Sequence, residues 1–342
     1  LTVILFTNSP SELVTCTAFR PSGSKVRGND PEARFEIHYF DSMKAIVFYL
    51  TWPFLYLTAS LPFGLLYGMS DFLYSILTLS GYRRTVVIRN LSNAFPEKSA
   101  LEIKSIASEY YRYLCDVVVE SLKATKMSEQ ESKKRCRFRA ADWLDRLYKE
   151  QRSIILVTGH YGNWEWGSAC FALNTEFKLG VIYRPLANKH FDKLVARMRG
   201  RFGTKIIPQT RTLREMAADR QVVTATAFVA DQSAPRDHAY WTTFLNQDTS
   251  IYTGPEKLAI KFNYPVVYVN TYRMRRGYYE LVPELLCANP SETREGEISE
   301  AFARRLEKDI VASPVTWLWS HKRWKHQRPD TRKAPGIVSP QT

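Results

Sequence analysis

Ser153-Ile154-Ile155-Leu156-Val157-Thr158-Gly159-His160-Tyr161-Gly162-Asn163-Trp164-Glu165-Trp166-Gly167 is an apolar run that breaks at a glycine and at once presents a histidine and a carboxylate. Four consecutive aliphatic residues read as a buried strand, Gly159 permits a sharp exit, and Tyr161 onward can wind into a helix. His160 then stands at the carboxyl end of a strand, where open α/β sheets place their chemistry. The bland alternative is a satisfied core histidine among tryptophans.

Downstream the chain alternates. Residues 178–183 read as a strand ending at Arg184-Pro185, 189–202 as a helix, 205–208 as a strand, 211–218 as a helix, and 222–229 as a buried strand ending at Ala230-Asp231-Gln232. A helix over 254–262 follows. Residues 264–270 and 278–282 then read as strands paired across Arg275-Arg276-Gly277, with a helix over 298–312. Helices between short apolar strands predict an α/β fold with a mostly parallel central sheet flanked by helices. Upstream, residues 99–122 have the apolar spacing of an amphipathic helix.

A chain of 342 residues suits one catalytic domain with an appendage. Its net charge of +14 calls for an anionic partner: nucleic acid, a phospholipid surface, or an acidic protein or substrate. The five cysteines (Cys16, Cys115, Cys136, Cys170, Cys287) have neither zinc-ligand spacing nor a disulfide framework, so no metal site is expected. Residues 1–42 read as a poorly ordered extension, with Met43-Lys44 marking an alternative start. No charge falls between Ala45 and Ser70. Because about 20 apolar residues cross a bilayer, 43–82 is expected to anchor the protein to a membrane as a helix or hairpin. Pro53, Pro62, Gly64 and Gly68 leave an interfacial hairpin open. Arg83, Arg84 and Arg89 place the following catalytic domain, 83–328, on the cytoplasmic side. Residues 329–342 read as a loose tail.

His160 and Glu165, Arg184, and Asp231-Gln232 all lie at strand ends, which converge on one edge of a parallel sheet. Residues five apart on a helix point about 140° away from each other, so His160 and Glu165 meet only if the histidine lies in the turn before the helix. A carboxylate on one ring nitrogen leaves the other to take a proton from a hydroxyl, which is general-base chemistry without a protein nucleophile. Asp231 suits either a supporting acid or a cap of the next turn. Lys193, Arg197 and Arg201 recur every four residues and so share one helical face, suited to docking an acidic carrier or phosphate, or simply to solvent. Trp317, Trp319 and Trp324, interleaved with His321, Lys322, Arg323 and Lys325, suit a membrane interface. The basic run 133–139 reads as a solvated surface.

The His-x-x-x-x-Glu spacing of His160 and Glu165 resembles the signature of glycerolipid acyltransferases, and its setting, GHYGNWEWG, resembles the late acyltransferases of lipid A biosynthesis. The likeness continues, in order over about 44–328, through Tyr183-Arg184-Pro185-Leu186-Ala187-Asn188, Asp231-Gln232 with Thr243-Phe244-Leu245, Thr253-Gly254-Pro255, Tyr264-Pro265-Val266, and Trp319-Ser320-His321-Lys322-Arg323-Trp324-Lys325. The resemblance implies a glycerol-3-phosphate acyltransferase-like fold at the bacterial inner membrane. It implies transfer of an acyl chain from acyl carrier protein or acyl-CoA to a hydroxyl of a lipid A precursor, with no cofactor beyond that co-substrate. His160 would be the general base, Glu165 its orienting partner, and Arg184 a binder of phosphate or negative charge. Asp231, Asn163 and Gly162 would line the substrate site, with amides near Gly162 placed for an oxyanion. An acceptor other than lipid A stays open, as does a His/carboxylate esterase, although no GxSxG elbow is present. Nucleic acid is not expected as a partner: Gly200-Arg201-Phe202-Gly203 superficially offers a KH loop, but nothing else supplies that module.

Overall fold

The structure, a computed structural model, describes residues 31–235 and 239–328, with side chains from residue 43 onward. The readings of residues 1–30 and 329–342 lie outside the described residues. Residues 31–42, expected to be loose, are the first turns of a helix, α1 (Pro31–Ser60). It breaks at Leu61-Pro62 and is followed by α2 (Phe63–Ser80), α3 (Arg84–Ala94) and α4 (Ala100–Ala124). Ser99 and Glu102 close a reciprocal capping box on α4, with Glu102 N–H donating to Ser99 Oγ and Ser99 N–H to Glu102 Oε2. Next come α5 (Glu129–Arg135), β1 (Cys136–Phe138) and α6 (Asp142–Lys149). The alternating region runs through β2 (Ile154–Thr158), α7 (Trp164–Asn174), β3 (Lys178–Tyr183), α8 (Lys189–Arg199), β4 (Lys205–Pro208), α9 (Thr212–Ala218) and β5 (Thr224–Val229). The hairpin β6 (Ala239–Phe244) and β7 (Gln247–Tyr252) leads to α10 (Gly254–Phe262), β8 (Val266–Arg275), β9 (Tyr278–Cys287) and α11 (Glu297–Ala312).

Seven strands form one sheet in the order β1-β9-β8-β2-β5-β3-β4, parallel throughout except for the antiparallel β8–β9 pair. The mostly parallel sheet expected from the alternation is therefore present. β2 lies near its middle, between β8 and β5. Its side chains alternate between two cores. Ile155 and Val157 pack with Tyr110, Phe228, Tyr268, Leu306 and Trp319, while Ile154 and Leu156 pack with Leu144, Trp166, Phe171 and Val267. A strand covered by helices on both faces has no polar side to show, which is why Ile154 to Val157 is continuously aliphatic.

Of the two forms open to the expected anchor, the spanning helix is not there: among the described residues no helix is long and apolar enough to cross a membrane. The break at Leu61-Pro62 splits the uncharged stretch, and each piece commits one face to the protein. Leu55, Thr58 and Ala59 of α1 and Leu66, Ser70 and Leu77 of α2 are buried. Polar links fix α2 to the body: Ser70 Oγ donates to Asp116 at 2.7 Å, Tyr67 OH to Glu120 at 2.8 Å, and Asp71 pairs with Arg276 at 2.6 Å. The basic run 133–139 is also not a solvated face throughout. It contains the end of α5 and all of β1, and Arg135 is buried, with its guanidinium over the Phe63 ring and on the Gly277 carbonyl.

Glu120 ties four elements together. It is fully buried in α4 and accepts from Tyr67 of α2, from Asn163 Nδ2 just before α7 (2.7 Å), and from Tyr279 of β9 (2.7 Å). Burial raises its carboxyl from 4.5 to about 7, with Asp116 adding to the rise and Tyr279, Tyr67 and Arg273 opposing it. A raised pKa favours the protonated folded state. The associated stability is complete below about pH 4.5 and is lost as pH rises through about 7. Denaturant unfolding from pH 4.5 to 8 should therefore show stability falling with pH, by at most about 1.4 kcal/mol per unit. Glu120→Gln should flatten that dependence.

Candidate active site

The register of two parallel strands builds the site. Thr158 of β2 pairs with Val229 of β5, and Ala230 N–H continues the ladder to Thr158 O at 2.9 Å. Two residues beyond each partner stand His160 and Asp231. His160 Nδ1 meets Asp231 Oδ1 at 2.6 Å, and His160 backbone N–H donates to Oδ2 at 2.8 Å. Trp317 Nε1 donates to the same Oδ2 at 2.8 Å. Burial alone would raise the Asp231 carboxyl, but the adjoining His160 and the hydrogen bonds from its ring, its amide and Trp317 hold it well below the usual carboxylate range. An ionised Asp231 accepts from Nδ1–H and so leaves the lone pair on Nε2, the tautomer that a general base requires. The side of Trp164 packs edge-on against the ring, with centroids 5.1 Å apart.

Two glycines make the approach feasible. A Cβ at Gly159 would lie 2.9 Å from Leu306 and 3.2 Å from Asp231 Oδ2. Gly162 has φ +59°, and a Cβ there would fall 1.6 Å from the Thr271 carbonyl oxygen.

The expected His160–Glu165 contact is not what the structure contains. Glu165 lies in the first turn of α7 and is bound in a two-toothed pair by Arg199 at the end of α8, with Nε to Oε2 at 2.8 Å and Nη2 to Oε1. Burial opposes ionisation of Glu165, yet Arg199 outweighs it and holds the carboxyl well below its ordinary range. The histidine in the preceding turn faces β5, whereas the helical carboxylate faces α8. Arg199 was missed because a basic residue at a helix end ordinarily reads as solvated.

The other expected site residues divide. Arg184 follows β3, the neighbour of β5, and so lies at the same sheet edge; it is exposed, with no hydrogen bond or ion pair among the described residues. Lys193 and Arg197 are exposed on α8. Arg201 does not continue their face: α8 ends at Arg199, Phe202 has φ +60°, and the Arg201 guanidinium binds the carbonyls of Ala124 and Met127. Asn163 is fully buried, capping α7 through Trp166 N–H and donating to Glu120, so it supports the turn from behind. The Gly162 amide is already committed to Thr316 O at 3.0 Å, which removes it as an oxyanion donor.

The tryptophan-rich segment is a strap over the site and not a membrane face. Trp317 and Trp319 are buried, Leu318 N–H donates to His160 O at 3.1 Å, and Asn90 Nδ2 holds the carbonyls of Trp319 and His321. His321 is held to about 4 by burial and by the neighbouring charges of His160, Arg323 and Lys325, against Asp231. Among the described residues no group of three or more His, Cys, Asp or Glu side chains is arranged to hold a metal ion.

Residues 33–326 match the family model described as bacterial lipid A biosynthesis acyltransferase. The chain is 24% identical over 247 residues to the lipid A biosynthesis palmitoleoyltransferase of Escherichia coli (strain K12), covering 71% of this chain and 79% of that protein. It is 25% identical over 288 residues to the lipid A biosynthesis lauroyltransferase of the same organism, covering 81% and 92%. A lipid A biosynthesis acyltransferase of Haemophilus influenzae is 25% identical over 272 residues, covering 78% and 84%.

The Glu165–Arg199 pair generates a stability prediction. Glu165→Gln leaves a guanidinium buried without its counter-charge and should cost about 3–5 kcal/mol in denaturant unfolding. A loss under 1 kcal/mol would show that Arg199 reaches solvent or another anion.

Proposed function

The chain belongs to the bacterial lipid A biosynthesis acyltransferase family and is an acyltransferase, and on that premise we propose that it moves a fatty acyl chain from a thioester, on acyl carrier protein or coenzyme A, to a hydroxyl of a lipid A precursor. The observation that carries the mechanism is the His160–Asp231 pair, with Nδ1 occupied at 2.6 Å and Nε2, approached by Gln232 Nε2 at 3.4 Å, as the proton acceptor. The acceptor hydroxyl gives its proton to Nε2 as its oxygen attacks the thioester carbonyl. The tetrahedral intermediate collapses, the carbon–sulfur bond breaks, and the imidazolium returns the proton to the departing thiolate. Asp231 steadies the imidazolium. Glu165, which the signature made the orienter, acts instead through Arg199 to hold the start of α7, and with it the turn that carries His160.

Exposed Arg184, after β3, and exposed Lys193 and Arg197 on α8 suit an acidic donor such as acyl carrier protein or a phosphorylated lipid. Membrane attachment is read as interfacial. Leu50 is 75% exposed, Leu79 89%, and Phe54, Leu57, Leu65 and Phe72 are likewise open on α1 and α2, an apolar surface suited to lying in the headgroup region without crossing it. The inner membrane, with the catalytic body on the cytoplasmic side, is where such an acceptor and donor would meet.

His160→Ala should cut acyl transfer by about 10²–10⁴-fold, with some loss of melting temperature because buried Asp231 loses its ring partner while keeping the amide and Trp317 donors. Asp231→Asn, which reverses the favoured tautomer, should fall by about 10⁴-fold. Mass spectrometry of lipids from cells carrying active or His160→Ala protein should show one secondary acyl chain missing from lipid A; a change confined to phospholipids would give the enzyme another acceptor. In flotation with anionic vesicles, Leu50→Glu combined with Phe54→Glu should lower bound protein several-fold, and undiminished binding would move the contact elsewhere.

A further inference from the structure

Arg323 is a buried cation with donors to spare. It is 2% exposed, and its Nη2 donates to Ser250 O at 2.8 Å. Its Nε and Nη1 are buried without any hydrogen-bond partner, which makes it the one cation among the described residues with unpartnered buried donors. The side chain is not a loose end. The Arg323 amide donates to His321 O at 2.8 Å, its carbonyl accepts from Ser233 Oγ two residues past Asp231, and the strap that carries it is bonded to the His160 carbonyl. Burial lowers its pKa to about 10, and Asp231 is the charge that opposes this. Burying a guanidinium and leaving two of its donors unmet is costly unless something else supplies the anion.

The reaction supplies one. When a hydroxyl oxygen adds to the thioester carbonyl, the carbonyl π electrons move to oxygen and the proton goes to His160 Nε2, so the site gains a cation and an anion together. Asp231 already answers the imidazolium. The Gly162 amide cannot answer the oxyanion, because it is bonded to Thr316. Resting on the acyl-transfer reading above, we infer that Arg323 Nε and Nη1 receive the oxyanion of the tetrahedral intermediate. Fixed donors that are unmet before the reaction and met only at the transition state act on the rate, and not on ground-state binding.

The test uses the full chain with Arg323→Met and Arg323→Lys. Ligand-free Arg323→Met should melt at or above the wild-type temperature, because a purely structural arginine would be missed and an uncompensated one would not. Its kcat should fall about 10²–10³-fold, with KM for donor and acceptor within about threefold of wild type. Arg323→Lys should recover part of kcat. A lower melting temperature in both variants, a kcat within threefold of wild type, or a rise in acceptor KM at constant kcat would each overturn the assignment, the last by making Arg323 a phosphate anchor. A long-chain alkyl phosphonate, tetrahedral and anionic, should raise the melting temperature of the wild type but not of Arg323→Met, and equal shifts would also overturn it. That comparison needs no acyl acceptor. A wild-type protein that binds the phosphonate through Arg323 yet transfers nothing to a lipid A precursor would refute the proposed reaction and leave the anion site standing.

Discussion

The whole site hangs on a single alignment of two parallel strands. Thr158 opposite Val229 sets His160 and Asp231 at the same step beyond the sheet, close enough for the carboxylate to take both the ring Nδ1–H and the main-chain amide of the histidine. A slip of one residue would turn Asp231 to the opposite side of β5 and leave a buried carboxylate with no donor. That alignment is strongly specified, because the aliphatic residues of β2 are divided between two cores and would all exchange places on slipping. Packing energy deep in the sheet is therefore what holds a hydrogen bond at its edge.

Around that centre several acidic side chains are buried, and they are handled by pairing. Asp309 of α11 accepts from the hydroxyls of Tyr268 and Tyr272 and pairs with Arg305 at 2.6 Å. Asp116 takes Ser70, Arg273 and Arg276. Glu165 has Arg199, and Glu120 has two tyrosines and an asparagine. Each acidic side chain joins separate elements, with Asp309, Asp116 and Glu120 linking helices to the β8–β9 hairpin and Glu165 linking α7 to α8. Tyrosine suits this work because its ring fills the core while its hydroxyl reaches the acid.

The alternation of strands and helices beyond residue 153 was legible because parallel strands are nearly pure aliphatic runs, and the strand-end position of His160 and Asp231 followed from it. Which carboxylate faces the histidine was not legible. Proximity in sequence favoured Glu165, while the actual contact depends on the order β2-β5 and on register, neither of which a local pattern encodes. Equal offsets of His160 and Asp231 from their strand ends were the available clue. The β6–β7 hairpin escaped notice because its two-residue turn, Leu245-Asn246, has both residues at positive φ without the usual glycine. The tryptophans of the strap were misread for a compositional reason: aromatic and basic residues interleaved look alike whether they face headgroups or close over a buried dyad. The choice between a spanning helix and a hairpin was not legible because an uncharged stretch reports only what is absent from it, and Pro62 divides it into two helices that each keep a protein-facing side.

The strap also has a bearing on when the enzyme becomes competent. A chain leaves the ribosome from its amino end, and the segments that emerge first begin to fold first. β2, α7 and β5 are all available long before Trp317 is made, yet Asp231 keeps an open acceptor and Gly162 an unbonded amide until residues 316–318 arrive to meet them. The upstream helices and β2, α7 and β5 can thus form before those two groups have their final partners. The strap is the last described piece laid over the histidine, and its arrival completes both hydrogen bonds.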